Sequence, residues 1–304
     1  MAIIRVRAKV NGTWFALSQD ESGKWGGTII APTETSFRLS GGYYPVTIEA
    51  ANDAGTVKTW DAGDTAWGNT LRLVVRETIK PVCTILSPSD GAYTTNNQQP
   101  FTVRVTDEAG GSGVALGTVE VKIDGKAYSH DSPGVACQEI TNGYQLVCTP
   151  QEALADGRHT VTVNARDNDG NAAAAVTAAV TVDTVPPSLT VETPTAGLIT
   201  NNPDLMVTGF TNDATSSPVA VTVALNGEES LTFPVGADGA FSGAVLLAEG
   251  TNTIVVTARD AAGKESSVTR EVKLDTSIPE IRTLTMGPNP NNTGESVTIT
   301  LEVS

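Results

Sequence analysis

The chain is poor in the residues that carry most protein chemistry. In 304 residues it has two histidines, three cysteines and three methionines. Aromatic residues make up only 5% and charged residues 17%, which leaves little for long helices laced with surface ion pairs. Lysine and arginine number 19 against 34 aspartates and glutamates, a net charge of −15. Phosphate-backbone binding needs clustered cations that displace counterions, so nucleic acid is excluded as a partner. No apolar run approaches the roughly 20 residues that cross a bilayer. The opening MAIIRVRAKV alternates charged and apolar residues where an export signal would be uninterruptedly apolar, so neither a membrane segment nor a leader is expected.

Catalysis finds no foothold in what remains. His130 stands beside Ser129 and Asp131, and adjacent residues do not by sequence alone supply a triad's geometry. No phosphate-cradling glycine loop and no zinc-spaced cluster appears. No enzymatic activity and no cofactor are expected.

What the chain has in abundance is valine, threonine, alanine and glycine in short alternating runs, the composition of strands joined by tight turns. One segment recurs three times: GYYPVTIEAANDAG from Gly42, GRHTVTVNARDNDG from Gly157 and GTNTIVVTARDAAG from Gly250. Each copy runs through alternating apolar positions to an alanine and on to a second glycine, marking one equivalent strand and turn in three related modules. His159 occupies the repeat position held by Tyr44 and Asn252, an ordinary strand position. A T-x-x-P element at Thr78–Pro81, Thr184–Pro187 and Thr276–Pro279 marks stiff linkers. The boundaries are therefore 1–79, 80–184, 185–277 and a last piece, 278–304. The alanine-rich stretch from Asn171 to Val180 runs into alternating residues and reads as a strand.

Seven or so short strands per module, with regular turn signals, imply antiparallel β-sandwiches. The paired openings PVCTILSPSDGAYTTNN and PSLTVETPTAGLITNN resemble the bacterial immunoglobulin-like domains. The likeness is strongest in Pro187 to Asp275, where LNGEE, VGADGAFSG and LAEGTNTIVVTARDAAGKESSVTREVKLD are similar to a sandwich domain found beside bacterial glucan hydrolases. The fold class expected is all-β: tandem immunoglobulin-like antiparallel sandwiches ending in a C-terminal β-hairpin. A short multi-domain chain with a strand at Met1 also resembles the Ig-like accessory proteins of tailed bacteriophages. That resemblance implies a structural and adhesive role on a virion, at the tail or capsid surface, with other virion proteins and host-surface glycans as partners. The alternatives are a spacer of a bacterial surface adhesin and a carbohydrate-binding accessory module of a glycoside hydrolase.

Aligned on the third module, Asn11-Gly12 matches Asn226-Gly227 and Trp25 matches Phe241, which assigns Trp25 to the core. The first module then lacks the two opening strands of the pattern. Residues Glu280 to Met286 and Glu295 to Ser304 read as just such a strand pair, with Val297, Ile299, Leu301 and Val303 on one face. Four such side chains left in water forgo about 6–12 kcal/mol, so the face is expected to complete a sandwich by strand addition, head-to-tail on another copy of the chain. The alternatives are that the chain is a fragment cut within a module, or that the pair folds back on the third module.

Four tryptophans, Trp14, Trp25, Trp60 and Trp67, and the pair Tyr43-Tyr44 all fall in the first module. Trp60 and Trp67 bracket the insertion WDAGDTAW and, with Tyr43 and Tyr44, are the binding candidates for a glycan or protein partner, against a core or loop-packing role. Cys137 and Cys148 flank Asn142-Gly143; a turn centred there sets the two cysteines opposite each other, at disulfide distance. Cys83 is left over as a buried strand residue. Asp167-Asn168-Asp169-Gly170 fails the EF-hand pattern, with Ala172 at position six and Ala178 at position twelve, and reads as a β-turn; no metal is expected.

Overall fold

Alternation of apolar and polar residues favours extended backbone with one face buried, and a computed structural model describing all 304 residues is built almost wholly from such segments. The chain is all-β, its single helical element being the three-residue 3₁₀ turn Leu116–Thr118. It divides into two compact units, Met1–Asp183 and Thr184–Ser304.

The second half of the first unit is a two-sheet sandwich. One sheet runs in the order Val135–Ile140, Gly143–Cys148, Phe101–Thr106, Val82–Ser87. The other runs Lys126–Tyr128, Glu120–Ile123, Gly157–Asn164, Val176–Val182, Ala92–Thr94, with the last pair parallel and the rest antiparallel. Alternate residues of both sheets point inward, so Phe101, Val103, Val105, Val121, Leu146, Val161, Val163 and Val180 are excluded from solvent. The alanine-rich stretch is a strand only from Val176; Ala172 makes one isolated bridge to Arg166 and the rest is loop.

The first half of that unit is a single five-stranded sheet, ordered Trp25–Gly26, Thr13–Gln19, Ile3–Val10, Thr47–Asn52, Val57–Trp60. Opposite it lie irregular segments and a two-residue ladder between Tyr44–Pro45 and Arg72–Leu73. The consequence shows at equivalent positions of the repeat. Val161, Val163 and Ala165, like Ile254, Val256 and Ala258, are buried, whereas Val46, Ile48 and Ala50 are only half-buried for want of a facing sheet. On the outer face Glu49 accepts hydrogen bonds from Arg5 and Arg7 at 2.8 and 2.9 Å, and the Arg7 guanidinium stacks 4.1 Å from the Trp14 ring.

The second unit holds another sandwich, Ser188–Thr193, Asp204–Asn212, Ala240–Leu246 in one sheet and Leu198–Thr200, Glu265–Leu274, Gly250–Arg259, Ala220–Leu225, Leu231–Phe233 in the other. Phe241 is 3% exposed and packs over Gly209, where a Cβ would lie 2.6 Å from its ring. Trp25, expected in the same place, is instead half-buried: its two-residue strand pairs with Ser18 and Gln19 at the edge of the single sheet. The hairpin Ile281–Gly287 with Thr298–Val303 completes the unit.

The repeated glycines mark equivalent turns. Gly42, Gly157 and Gly250 at strand entry, and Gly55, Gly170 and Gly263 at the following turn, all have φ between +73° and +136°, which a side chain would strain. The middle of the motif carries a recurring latch. Asn252 is fully buried, donates to the Ala248 and Gly250 carbonyls and accepts from the Asn226 side chain of a neighbouring turn. In the preceding module His159 takes this place, with Nδ1 2.6 Å from Asp124 Oδ2 and Nε2 2.7 Å from the Ala155 carbonyl oxygen. Burial opposes a charged ring, but the Asp124 carboxylate and the Ala155 carbonyl outweigh it and raise the pKa above its ordinary 6.5. A raised folded-state pKa gives stability that is complete below about pH 6.5 and lost as pH rises through the folded value. His159→Asn, copying the Asn252 latch, is expected to flatten that decline in urea-unfolding midpoints of the first unit measured between pH 5 and 9; an unchanged slope contradicts the assignment.

Candidate functional site

Of the four aromatic candidates, two come together. The loop after the Val57–Trp60 strand is folded by its own aspartates: Asp61 Oδ1 accepts from Gly63 N at 2.8 Å, and Asp64 Oδ1 accepts from Ala66 N and Trp67 N at 2.9 and 3.0 Å. Gly68 then donates to the Asp64 carbonyl at 2.9 Å, and the loop lies so close that a Cβ on Gly68 would meet that oxygen at 2.5 Å. This turn brings Trp67 back beside Trp60, and with Ile48, Thr70 and Leu71 they line an open apolar recess of about 250 Å³. Trp67 is 58% exposed. No titratable side chain lines the recess, so it offers apolar stacking area and no acid–base chemistry.

The tyrosines lie elsewhere. Tyr44 is buried, its hydroxyl donating to the Glu34 carbonyl at 3.1 Å, which corrects the expectation that it contributes to a binding surface. Tyr43 is half-buried under the Arg72 guanidinium, 4.9 Å from its ring, outside the recess.

The Cys137–Cys148 pairing is also corrected. The hairpin closes one residue earlier than the Asn142-Gly143 signal suggests: Ile140 pairs with Gly143, so Cys137 faces Leu146 and Cys148 faces Val135. The physical reason is Gly143 itself, which serves as a strand residue where a Cβ would collide with the Val105 carbonyl of the adjacent strand. Cys137 is exposed, while burial pushes the thiols of Cys83 and Cys148 up to about 11.

The hairpin carries the face read from sequence. Leu284 pairs with Leu301 and Met286 with Ile299, and Val297, Ile299, Leu301 and Val303 are 46, 62, 50 and 49% exposed.

The densest polar constellation lies inside the first unit, where its two halves meet, and sequence reading found only part of it. Asp169 Oδ2 accepts from Thr35 Oγ1 at 2.5 Å and from Glu77 N at 3.1 Å, and Asn171 Nδ2 donates to the Glu77 carbonyl at 3.1 Å. The Glu77 carboxylate turns toward the sandwich, accepting from Ser112 N at 2.5 Å. Asp167, at the start of the expected β-turn, accepts from Asn171 N and Nδ2 at 2.8 and 2.7 Å. Carboxylate oxygens of Glu77, Asp107 and Asp167 all lie within 4.8 Å of one another. Glu108 stands next to them; burial, and then the neighbouring Glu77, raise its pKa to about 7. Glu77, Asp107 and Glu108 were missed because they come from a linker and a strand end distant in sequence from Asp167. The available signal was the carboxylate recurring directly after the third strand of each full module, Asp107 and Asp213.

Comparison with known proteins agrees with this architecture. Residues 81–163 match the bacterial Ig domain family and residues 187–276 match the family described as glucodextranase, domain B. Bacillopeptidase F of Bacillus subtilis (strain 168) is 29% identical over 241 residues, 79% of this chain, and the chain spans 15% of that relative's length. Similar solved structures include the fibronectin(III)-like modules of Clostridium thermocellum CbhA, 18% identical with a TM-score of 0.39, covering 63% of this chain and 93% of that one. Sidekick-1 immunoglobulin domains 1–4 are 12% identical with a TM-score of 0.36, covering 90% and 68%. Domains of this kind are typically non-catalytic and extracellular or surface-associated, in keeping with a structural or accessory module. The chain is thus an all-β array of tandem modules, in which residues 81–163 form a bacterial immunoglobulin-like domain and residues 187–276 a second sandwich that matches glucodextranase, domain B.

Proposed function

We propose that the chain is a non-enzymatic spacer and contact array of an extracellular assembly, in which the first unit holds the Trp60–Trp67 recess out to a glycan or protein partner. The observation that carries this reading is the recess: apolar, open, lined by two tryptophans and free of titratable groups, on a module locked to its neighbour by Asp169 and Glu77. Such a surface suits the flat apolar face of a sugar ring or an aliphatic side chain, and it suits weak contacts repeated many times over an assembly.

The setting we propose for such contacts is a bacteriophage virion, with other virion proteins as neighbours. An adhesin spacer and an accessory segment of a secreted hydrolase use the same fold in the same way. Tail or capsid genes beside this one support the virion; sortase or hydrolase genes overturn it in favour of one of the others.

The contact role is tested by affinity electrophoresis of the full chain through gels containing soluble glucans and through gels containing host-surface polysaccharide. Retention is expected, weakened about tenfold or more in Trp60→Ala and Trp67→Ala. Retention unchanged in both variants, or absent with every polymer, contradicts a glycan-binding recess.

A further inference from the structure

The acidic cluster inside the first unit has the makings of a cation site. Asp107 is 93% buried by its 7% exposure, and while its Oδ2 accepts from Gly113 N at 2.7 Å, its Oδ1 has no hydrogen-bond partner. The same is true of Glu77 Oε2 and Glu108 Oε2. No lysine or arginine forms an ion pair with Glu77, Asp107, Glu108 or Asp167. Arg38 acts on Glu77 only from a distance, and buried carboxylate oxygens without an ion-pair partner are costly, the more so when several converge on one point.

We propose that Glu77, Asp107 and Asp167, with Glu108 beside them, bind a divalent cation of the calcium class between the two halves of the first unit. The spacing fits: oxygens about 2.4 Å from a shared ion lie no more than about 4.8 Å apart, and those of the three acids are within 4.8 Å. The donor set is all oxygen, with no histidine or cysteine among the three, which suits a hard cation rather than zinc or copper. Calcium tolerates irregular sites with six to eight ligands, whereas magnesium demands a near-ideal octahedron. A way in exists as well, since Glu77, Glu108 and Gly111 line a cavity of about 360 Å³ with Thr35 and Arg76. Gly111 leaves room there, for a Cβ would sit 2.7 Å from both Glu77 Oε2 and Glu108 Oε1.

The sequence repeats the pattern one module later. Asp183 stands before the T-x-x-P linker core as Glu77 does, Asp213 ends the equivalent strand as Asp107 does, and Asp260 opens the equivalent turn as Asp167 does. Within the second unit Asp213 and Asp260 are both buried, offer oxygens within 4.8 Å of each other, and Asp260 Oδ2 has no partner. The pairing of a strand-end and a turn carboxylate thus recurs within both sandwiches.

Isothermal titration of the full chain with calcium chloride, after removal of divalent ions, tests the proposal. The stoichiometry is expected to fall by one ion per chain in Asp107→Asn/Asp167→Asn, with the affinity of that site weakened at least about tenfold. Asp64→Asn, in the tryptophan loop, is expected to bind as the unaltered chain does. Circular dichroism of the double variant without calcium separates loss of the site from loss of the fold, because removing two buried charges leaves the calcium-free protein at least as stable. No calcium binding by the folded chain at millimolar concentration, or a stoichiometry indifferent to the double variant, overturns the proposal.

Discussion

Phe241→Ala is expected to destabilise the second unit by about 3–5 kcal/mol, read as a lower urea midpoint in far-ultraviolet circular dichroism. The ring is 3% exposed, wedged between the two sheets against Gly209, and that glycine has no side chain to fill the space left behind. Its strand is held to Asp204–Asn212 along seven residues, and that strand is held in turn to Ser188–Thr193, so the cavity cannot close cheaply. Trp25→Ala, at the position that sequence alignment makes equivalent, is expected to cost less than about 2 kcal/mol, because its ring is half-buried on an edge strand. Equal losses in the two variants contradict the single-sheet description of the first module.

Asp169→Ala is expected to remove about 3–6 kcal/mol of coupling between the two halves of the first unit. Its Oδ2 atom alone accepts from Thr35 Oγ1 and Glu77 N, charge-assisted bonds that contribute about 1.5–3 kcal/mol each, and Thr35 is itself buried. All four tryptophans lie in the first module, so their fluorescence reports its unfolding alone. In the variant that transition is expected to move to lower urea by about 1 M or more, ahead of the adjoining sandwich. An unmoved tryptophan transition contradicts the coupling assigned to Asp169.

The repeat made much of this legible. Val161, Val163, Ile254 and Val256 alternate with polar neighbours, and period-two alternation between positive-φ glycines has few structural meanings, so the sandwiches follow from sequence. The turns were harder. Asn142-Gly143 carries a strong turn signal, yet Gly143 is needed in the strand for a close approach to Val105, a tertiary constraint with no local trace. Trp25 misled for a related reason: aligned letters do not say whether a facing sheet is present. Trp60 and Trp67 were found because an insertion bracketed by two tryptophans stands out against a regular repeat. The cluster of Glu77, Asp107 and Asp167 stayed hidden because three loops far apart in sequence converge only once the modules are folded and joined.

The central claim is that the first two modules act as one body. Its most direct test follows equilibrium urea unfolding of the full chain, as Cys137→Ser, with two probes. Tryptophan fluorescence reads the first module, and pulse labelling of the buried thiols of Cys83 and Cys148 reads the second. The two transitions are expected to coincide at one midpoint. A tryptophan transition complete while both thiols remain protected would show the modules to be independent beads and contradict the account.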